Sequence, residues 1–126
     1  MSMSLEAIFA KVEKHLITQN AKSVNKDGDC VYRNHYRNHR GQSCAIGCLI
    51  PANRYFKELE GAELPGDEPL QDALKHVIGV NPKKRHMKID LLMELMSVHD
   101  DSHVADWKHE LTMVKDTWGI KGPKND

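Results

Sequence analysis

The sequence predicts a mostly α-helical protein, a compact bundle of four longer helices plus one or two short ones, with at most a small β-ribbon around Cys30–Cys44. Four stretches repeat apolar residues at intervals of three and four, the spacing of one helix face. The β-type run Cys30–Arg33 is short. A chain of 126 residues with 40% hydrophobic and 29% charged residues is ordinary for one globular domain. We therefore expect a single helical domain over residues 1–120 and a frayed tail over 121–126.

The first element is an amphipathic helix predicted over Ser4–Thr18. Its apolar stripe consists of Leu5, Ile8, Phe9, Val12 and Leu16. Turn-forming residues crowd into positions 20–28 and are expected to end this helix in an exposed loop. A short strand is then predicted over Cys30–Arg33. The tandem YRNH repeat of Tyr32–Arg40 favours an irregular hairpin loop, because asparagine, histidine and glycine disfavour a helix that lacks an apolar stripe.

Two short helices are predicted after that loop. Ser43 is a suitable N-cap for a helix over Cys44–Leu49, because a serine hydroxyl can accept a hydrogen bond from a free backbone N–H of the first turn. Pro51 disfavours helical geometry at Ile50 and so ends this helix. A second short turn or helix is predicted over Ala52–Leu59.

Three longer helices are predicted after the proline-rich loop Ala62–Pro69. The first covers Leu70–Ile78, and Asn81-Pro82 is expected to break the chain before the basic residues Lys83–Arg85. The second has the most apolar stripe, made of Ile89, Leu92, Met93 and Met96 and flanked by Leu91 and Leu95. The third is expected to start after a cap at Asp101 or Ser102. Its stripe consists of Val104, Trp107, Leu111, Val114 and Trp118.

Composition and charge exclude several classes of protein. Eighteen basic residues balance eighteen acidic ones, so the chain as a whole lacks the excess positive charge that drives non-specific nucleic-acid binding. The longest apolar runs are too short to span a bilayer, and Glu6 and Lys11 interrupt the N-terminus before a secretory signal can form. A cytoplasmic location is therefore expected, where three cysteines, an odd number, do not form a disulfide framework.

The CVYR element, the run CAIGCLIPANRYFKELEG and a late His-Asp before a tryptophan form a pattern that covers most of the chain. On these residues the chain resembles a family of small, largely uncharacterised proteins of bacteriophages and bacteria. The matching positions are Cys30, Tyr32, Arg33, Cys44, Ala45, Gly47, Cys48, Leu49, Ile50, Tyr55, Glu60, Gly61, His99, Asp100 and Trp107. The resemblance implies a phage or prophage setting, with the host cytoplasm as location, and implies no particular activity.

The three cysteines permit a zinc site. On a helix, Cys44 and Cys48 are four residues apart and face the same way, and Cys30 on a neighbouring strand would supply a third thiolate. The fourth ligand would be His39 or His35. Against this hypothesis, structural zinc sites usually use C-x-x-C pairs, whereas C-x-x-x-C in an apolar run is an ordinary way to pack small thiols.

A thiol hydrolase is a second hypothesis. Cys44 would lie at a helix N-terminus, where the dipole lowers a thiol pKa, with His99 as base and Asp100 as its orienting carboxylate. His99-Asp100 also resembles the metal pair of the HD phosphohydrolases, whose further ligands would be His76 and Asp116. The simpler interpretation is that Asp100 and Asp101 end one helix and cap the next.

The interpretation that we favour is binding rather than catalysis. Interleaved aromatic and cationic residues are typical of a surface that contacts phosphates and bases. The predicted binding residues are Tyr32, Arg33, Tyr36, Arg37, Arg40 and Tyr55. The sequence therefore predicts a small phage-type accessory protein, without a resident cofactor, whose partner is a host protein, a nucleic acid or nucleotide, or a small anionic ligand. A zinc-stabilised nucleic-acid-binding module is the alternative, and the thiol hydrolase comes third.

Overall fold

The computed structural model describes residues 2–23, 42–55, 57–60 and 63–120. In these ranges the chain is mostly helical and contains no strand, which confirms the predicted fold class. The α-helices are α1 (Leu5–Gln19), α2 (Glu68–Ala73), α3 (Lys75–Ile78), α4 (Pro82–Asp101) and α5 (Trp107–Thr117). Short 3-10 helices cover Gly47–Leu49, Ala52–Arg54, Lys57–Leu59 and Val104–Asp106. The predicted strand, the hairpin loop and the tail lie outside the described residues.

Helix α1 begins and ends as its sequence predicts. The Ser4 hydroxyl accepts a hydrogen bond from Ala7 N at 3.0 Å, so it caps the first turn. Asn20 adopts a left-handed conformation (φ 51°) and ends the helix, a role that asparagine fills because it tolerates this region. The predicted stripe is buried over Ile8, Phe9, Val12 and Leu16.

Helix α4 is the centre of the core. It packs against α1, α3 and α5, and α1 also packs against α5. Its side chains Leu91, Leu92 and Leu95 are fully buried, and Trp107 of α5 is 1% exposed. Burial of large apolar side chains of this kind contributes about 1.5–3 kcal/mol each relative to exposure. The same packing holds the polar side chains discussed below at fixed positions.

The structure corrects two predicted boundaries around α2 and α4. The helix predicted over Leu70–Ile78 begins earlier, after an N-cap at Asp67, and is divided into α2 and α3 at Leu74. Asn81-Pro82 does not separate a helix from the basic residues. Instead, Asn81 Oδ1 accepts a hydrogen bond from Lys84 N at 3.1 Å and Pro82 takes the first helical position, so the basic residues form the first turn of α4.

The short turn or helix predicted over Ala52–Leu59 forms as two 3-10 helices, Ala52–Arg54 and Lys57–Leu59. Two other predictions need correction. Of the helix predicted over Cys44–Leu49, only a turn and a 3-10 helix form. Neither Asp101 nor Ser102 caps the last helix, because α4 continues through Asp101 and a 3-10 helix precedes α5. Within the part of the chain that the structure describes, no helix is both long enough and apolar enough to cross a membrane.

Candidate functional site

Cys44 is a buried residue of the turn that precedes the 3-10 helix Gly47–Leu49. Its side chain is 0% exposed, and its Sγ accepts a hydrogen bond from Gly47 N at 3.3 Å. Burial raises the pKa of the Cys44 thiol far above its usual range, the N–H groups of Gly47 and Ile46 oppose this, and the Asp100 charge adds to it. A neutral thiol that solvent does not reach is a poor nucleophile. The geometry therefore disfavours the predicted catalytic role.

Cys48 is held by the same turn. Its thiol donates a hydrogen bond to Ala45 O at 3.3 Å. Burial raises the pKa of Cys48 to about 12, although the charge of Lys11 acts in the opposite direction. A zinc ligand must be a thiolate, so both cysteines would have to lose a proton in an apolar turn. The other two predicted ligands, Cys30 and His39, lie outside the described residues, and within these residues no three ligand-type side chains converge.

His99 is a structural histidine at the end of α4. It is fully buried, and its Nε2 accepts a hydrogen bond from Ser23 N at 2.9 Å. Because a backbone N–H only donates, Nε2 carries a lone pair and the ring hydrogen lies on Nδ1, which donates to Asp100 Oδ1 at 2.6 Å. The ring also stacks on Trp107 with a centroid distance of 5.5 Å. Both ring nitrogens are thus occupied, and His99 has no free lone pair with which to take a proton from Cys44.

The hydrolase residues therefore do not form a catalytic arrangement. The charge of Asp100 adds to the raised pKa of the Cys44 thiol, but both nitrogens of His99, the predicted base, bond to Ser23 N and to Asp100. The metal set of an HD phosphohydrolase does not form either. His76 is exposed on α3 and Asp116 is exposed on α5, and among the described residues no metal-binding group includes them. Buried His99, held by the partly exposed Asp100, instead links α4 to the chain after α1.

A network of hydrogen bonds, here called the junction, joins that chain to the residues before Cys44. The Gln19 side chain donates to Ser43 O at 3.0 Å and accepts from Ser43 N at 2.9 Å. His15 Nε2 lies 2.7 Å from Ser43 O and 3.1 Å from Ser43 Oγ. The Ser23 hydroxyl donates to Gln42 O at 3.3 Å. Residues 23 and 42 are therefore held side by side at the surface of α1.

An open cleft of about 550 Å³ runs along α1 beside the junction. We call it the α1 cleft, and its lining consists of Lys11, Lys14, His15, Thr18, Gln19 and Gln42. Lys11 and Lys14 are both exposed, and neither ammonium forms an ion pair with a carboxylate in the described ranges. Cations without local counter-charges attract anions. The cleft therefore presents two exposed cationic side chains beside Gln42, the residue at which the described chain resumes.

The predicted binding residues divide between two places. Tyr32, Arg33, Tyr36, Arg37 and Arg40 lie outside the described residues. Tyr55 is half-buried, its hydroxyl donates to Glu60 Oε2 at 2.5 Å, and it lines a separate small cleft with Arg54 and Asp72. Tyr55 is therefore not part of the α1 cleft.

Sequence reasoning did not identify the α1 cleft or the junction. A signal for them exists, because Lys11, Lys14, His15 and Thr18 recur at helical spacing on the polar flank of α1. Their partner Ser43 is 28 residues beyond His15 along the chain, so the pattern alone does not show that the two segments meet. No family model, curated protein or solved structure matches the chain. The resemblance to the phage family therefore stays a prediction.

Proposed function

We propose that the protein is a phage-type accessory protein that acts by binding, and that its partner is a nucleic acid. The observation that carries the proposal is the α1 cleft, whose two lysines form no ion pair within the described ranges and lie beside Gln42, which together with Ser23 flanks the arginine-bearing segment 24–41 in the sequence. Of the three partner classes that the sequence leaves open, an extended polyanion suits a charged open cleft best.

Local charge supports this choice although the whole chain is neutral. Segment 24–41 carries Lys26, Arg33, Arg37 and Arg40 against Asp27 and Asp29, so its net charge is +4 − 2 = +2 with histidines neutral. Lys11 and Lys14 would add two further positive charges in the cleft next to its anchor points. Tyrosines between the arginines would supply faces on which bases stack. The resemblance to phage proteins is compatible with such a role in the host cytoplasm.

The buried cysteines support binding over thiol catalysis. The Cys44 thiol is inaccessible and has a raised pKa, and the lone pair of His99 Nε2 is occupied by Ser23 N. Activation of a cysteine requires an accessible thiol and a free base within hydrogen-bond reach. Binding at the α1 cleft requires neither.

The proposal is tested by fluorescence anisotropy with labelled single-stranded DNA, single-stranded RNA and duplex DNA, each measured at several salt concentrations. We expect binding to at least one probe that weakens as salt rises, because cations that contact phosphates release counterions. The double variant Lys11→Ala/Lys14→Ala should bind about tenfold more weakly at low salt and should show a shallower salt dependence.

The matched control is Lys75→Ala/Lys108→Ala, which removes the same charge from exposed positions on α3 and α5. If both double variants lost the same affinity for the nucleic acid, the binding would be a non-specific attraction to positive charge. That result would contradict a site in the α1 cleft. A triple variant, Arg33→Ala/Arg37→Ala/Arg40→Ala, tests the segment separately. If no probe binds at micromolar protein and low salt, the nucleic-acid proposal is wrong.

A further inference from the structure

A second cleft lies at the other end of α1, where residues 2–6 face the first turns of α4. It has a volume of about 430 Å³. The residues that matter for its chemistry are Ser2, Met3, Leu5, Lys84, Met87 and Lys88. We call it the N-terminal cleft. Helix α1 is about 22 Å long at 1.5 Å per residue, so this cleft and the residues nearest the junction lie at opposite ends of the helix.

Lys88 is the unusual residue of the N-terminal cleft. The residue is 7% exposed, yet its ammonium donates to a neutral oxygen, Ser2 Oγ at 2.9 Å, and to no carboxylate in the described part of the chain. Lysines with buried stems usually pair their charge or extend it fully into water. Here the residue is buried, and both Lys88 and its partner Ser2 line the cleft. Burial and the charge of Lys84 lower the pKa of Lys88.

The position of Ser2 is fixed by the fold. Met3 N donates to Val77 O at 3.1 Å, which holds the N-terminal residues against α3. Gly79, at φ 72°, follows α3, and a Cβ built on it would lie 2.9 Å from Ser2 Cβ. Only glycine fits this approach without displacing Ser2. Since Ser2 Oγ accepts from Lys88, its own hydroxyl hydrogen remains available to donate toward a bound group.

The charges around the cleft favour an anion. Lys84 lies one turn before Lys88 on α4 and also lines the cleft, while Glu6 supplies the one acidic side chain of the lining. The first turn of α1, with its partial positive charge, faces the same space. Met3, Leu5 and Met87 give the cleft an apolar wall, and Met87 is 46% exposed.

We propose that the N-terminal cleft binds a small organic anion. Its carboxylate or phosphate head would accept hydrogen bonds from the Lys88 ammonium and the Ser2 hydroxyl, and its apolar body would lie against Met3, Leu5 and Met87. This inference is independent of the proposed nucleic-acid function, because the two clefts have no lining residue in common.

The test is a titration of ¹⁵N-labelled protein with hexanoate, hexyl phosphate and hexylamine, followed by amide chemical shifts. Hexanoate or hexyl phosphate should give saturable shifts centred on residues 2–6 and 84–88, and comparison of the two identifies the preferred head group. Hexylamine, which has the same tail and a positive charge, should give none. Lys88→Met should weaken binding of the preferred anion at least about tenfold, since a charge-assisted hydrogen bond is worth about 1.5–3 kcal/mol.

Two further variants keep the result interpretable. Lys83→Met removes an exposed lysine of the first turn of α4 that does not line the cleft. The affinity of this variant for the anion should stay unchanged. Ser2→Ala at an exposed position should weaken binding a few-fold without affecting the circular dichroism of the fold. The proposal is overturned if Lys88→Met binds as tightly as the parent, if hexylamine binds equally well, or if neither anion gives saturable shifts. Lys11→Ala/Lys14→Ala should leave the anion titration unchanged, which separates this proposal from the first.

Discussion

The surroundings of Cys44 and His99 can be compared with the α1 cleft, because both adjoin the same junction. In the first region the Cys44 thiol and both His99 ring nitrogens already have partners from the protein: Gly47 N on the thiol, and Ser23 N and Asp100 on the ring. In the second, the ammonium groups of Lys11 and Lys14 face solvent without ion pairs in the described ranges. The cysteine and histidine side chains that suggest catalysis are therefore already hydrogen-bonded within the fold, whereas the two lysine side chains are exposed to solvent.

Replacement of His99, in the first of these regions, should have the largest effect on stability. His99→Leu leaves Ser23 N buried without an acceptor and removes the donor to Asp100, so we expect the free energy of unfolding to fall by about 2–4 kcal/mol. Urea denaturation followed by circular dichroism measures it. The matched control is His103→Leu, an exposed position just after α4 that should change stability by less than about 0.5 kcal/mol. A His99→Leu protein as stable as the control would show that the buried pair is not structural.

Replacement of Cys44 should cause the second-largest loss of stability. Cys44→Ala removes a buried side chain and the acceptor of Gly47 N, so a loss of about 1–2 kcal/mol is expected. Cys48→Ala, at a partly exposed position of the same turn, should cost less.

The same position can be probed by its reactivity. In a Cys30→Ser/Cys48→Ser background, the remaining thiol at Cys44 should react with a disulfide reagent only at the rate of unfolding. Fast reaction of the folded protein would contradict the assigned burial and restore the thiol-hydrolase hypothesis.

A smaller effect is expected where the two regions meet. Gln19→Ala removes two hydrogen bonds to the backbone of Ser43, and we expect a loss of about 1 kcal/mol, since the freed groups are only partly buried. Hydrogen exchange should show weaker protection at Ser43 N, while the amides within α4 stay protected. Thr18→Ala, an exposed neighbour on α1, is the control. Unchanged exchange at Ser43 would mean that the junction does not depend on Gln19.

The smallest effect concerns alkaline pH. The pKa of Cys48 is raised from 9.0 to about 12, so above pH 9 the unfolded chain loses a proton that the folded chain keeps. The contribution of the protonated Cys48 thiol to stability is complete well below pH 9 and is lost as pH rises toward 12, and about 1 kcal/mol of it is lost between pH 9 and pH 10. Cys48→Ser should therefore show a flatter decline in stability between pH 9 and pH 10 than the parent. If Cys48→Ser and the parent protein lose stability equally over this pH range, the raised pKa of Cys48 is contradicted.

The sequence predicts most of the helical frame, because apolar spacing and caps act locally. Ser4 and the α1 stripe are where the pattern places them. Predicted helix boundaries are wrong where two local signals compete. Asn81-Pro82 is compatible with a break or with a helix start, and in the packed structure a helix starts there. The candidate sites are harder to predict. Cys44, His99 and Asp100 are conspicuous in the sequence, but their burial and partners depend on contacts across as many as 78 residues.

The hydrogen bond between Ser23 and Gln42 has one more consequence. Because the fold holds these two residues side by side, the ends of any segment that joins them are already close together. The closure entropy of a joining segment changes slowly with its length, by about 0.6 kcal/mol for each doubling. A change in the number of YRNH units between Ser23 and Gln42 would therefore cost little closure entropy. Segments of different length could join these two residues while the core beneath them stays the same.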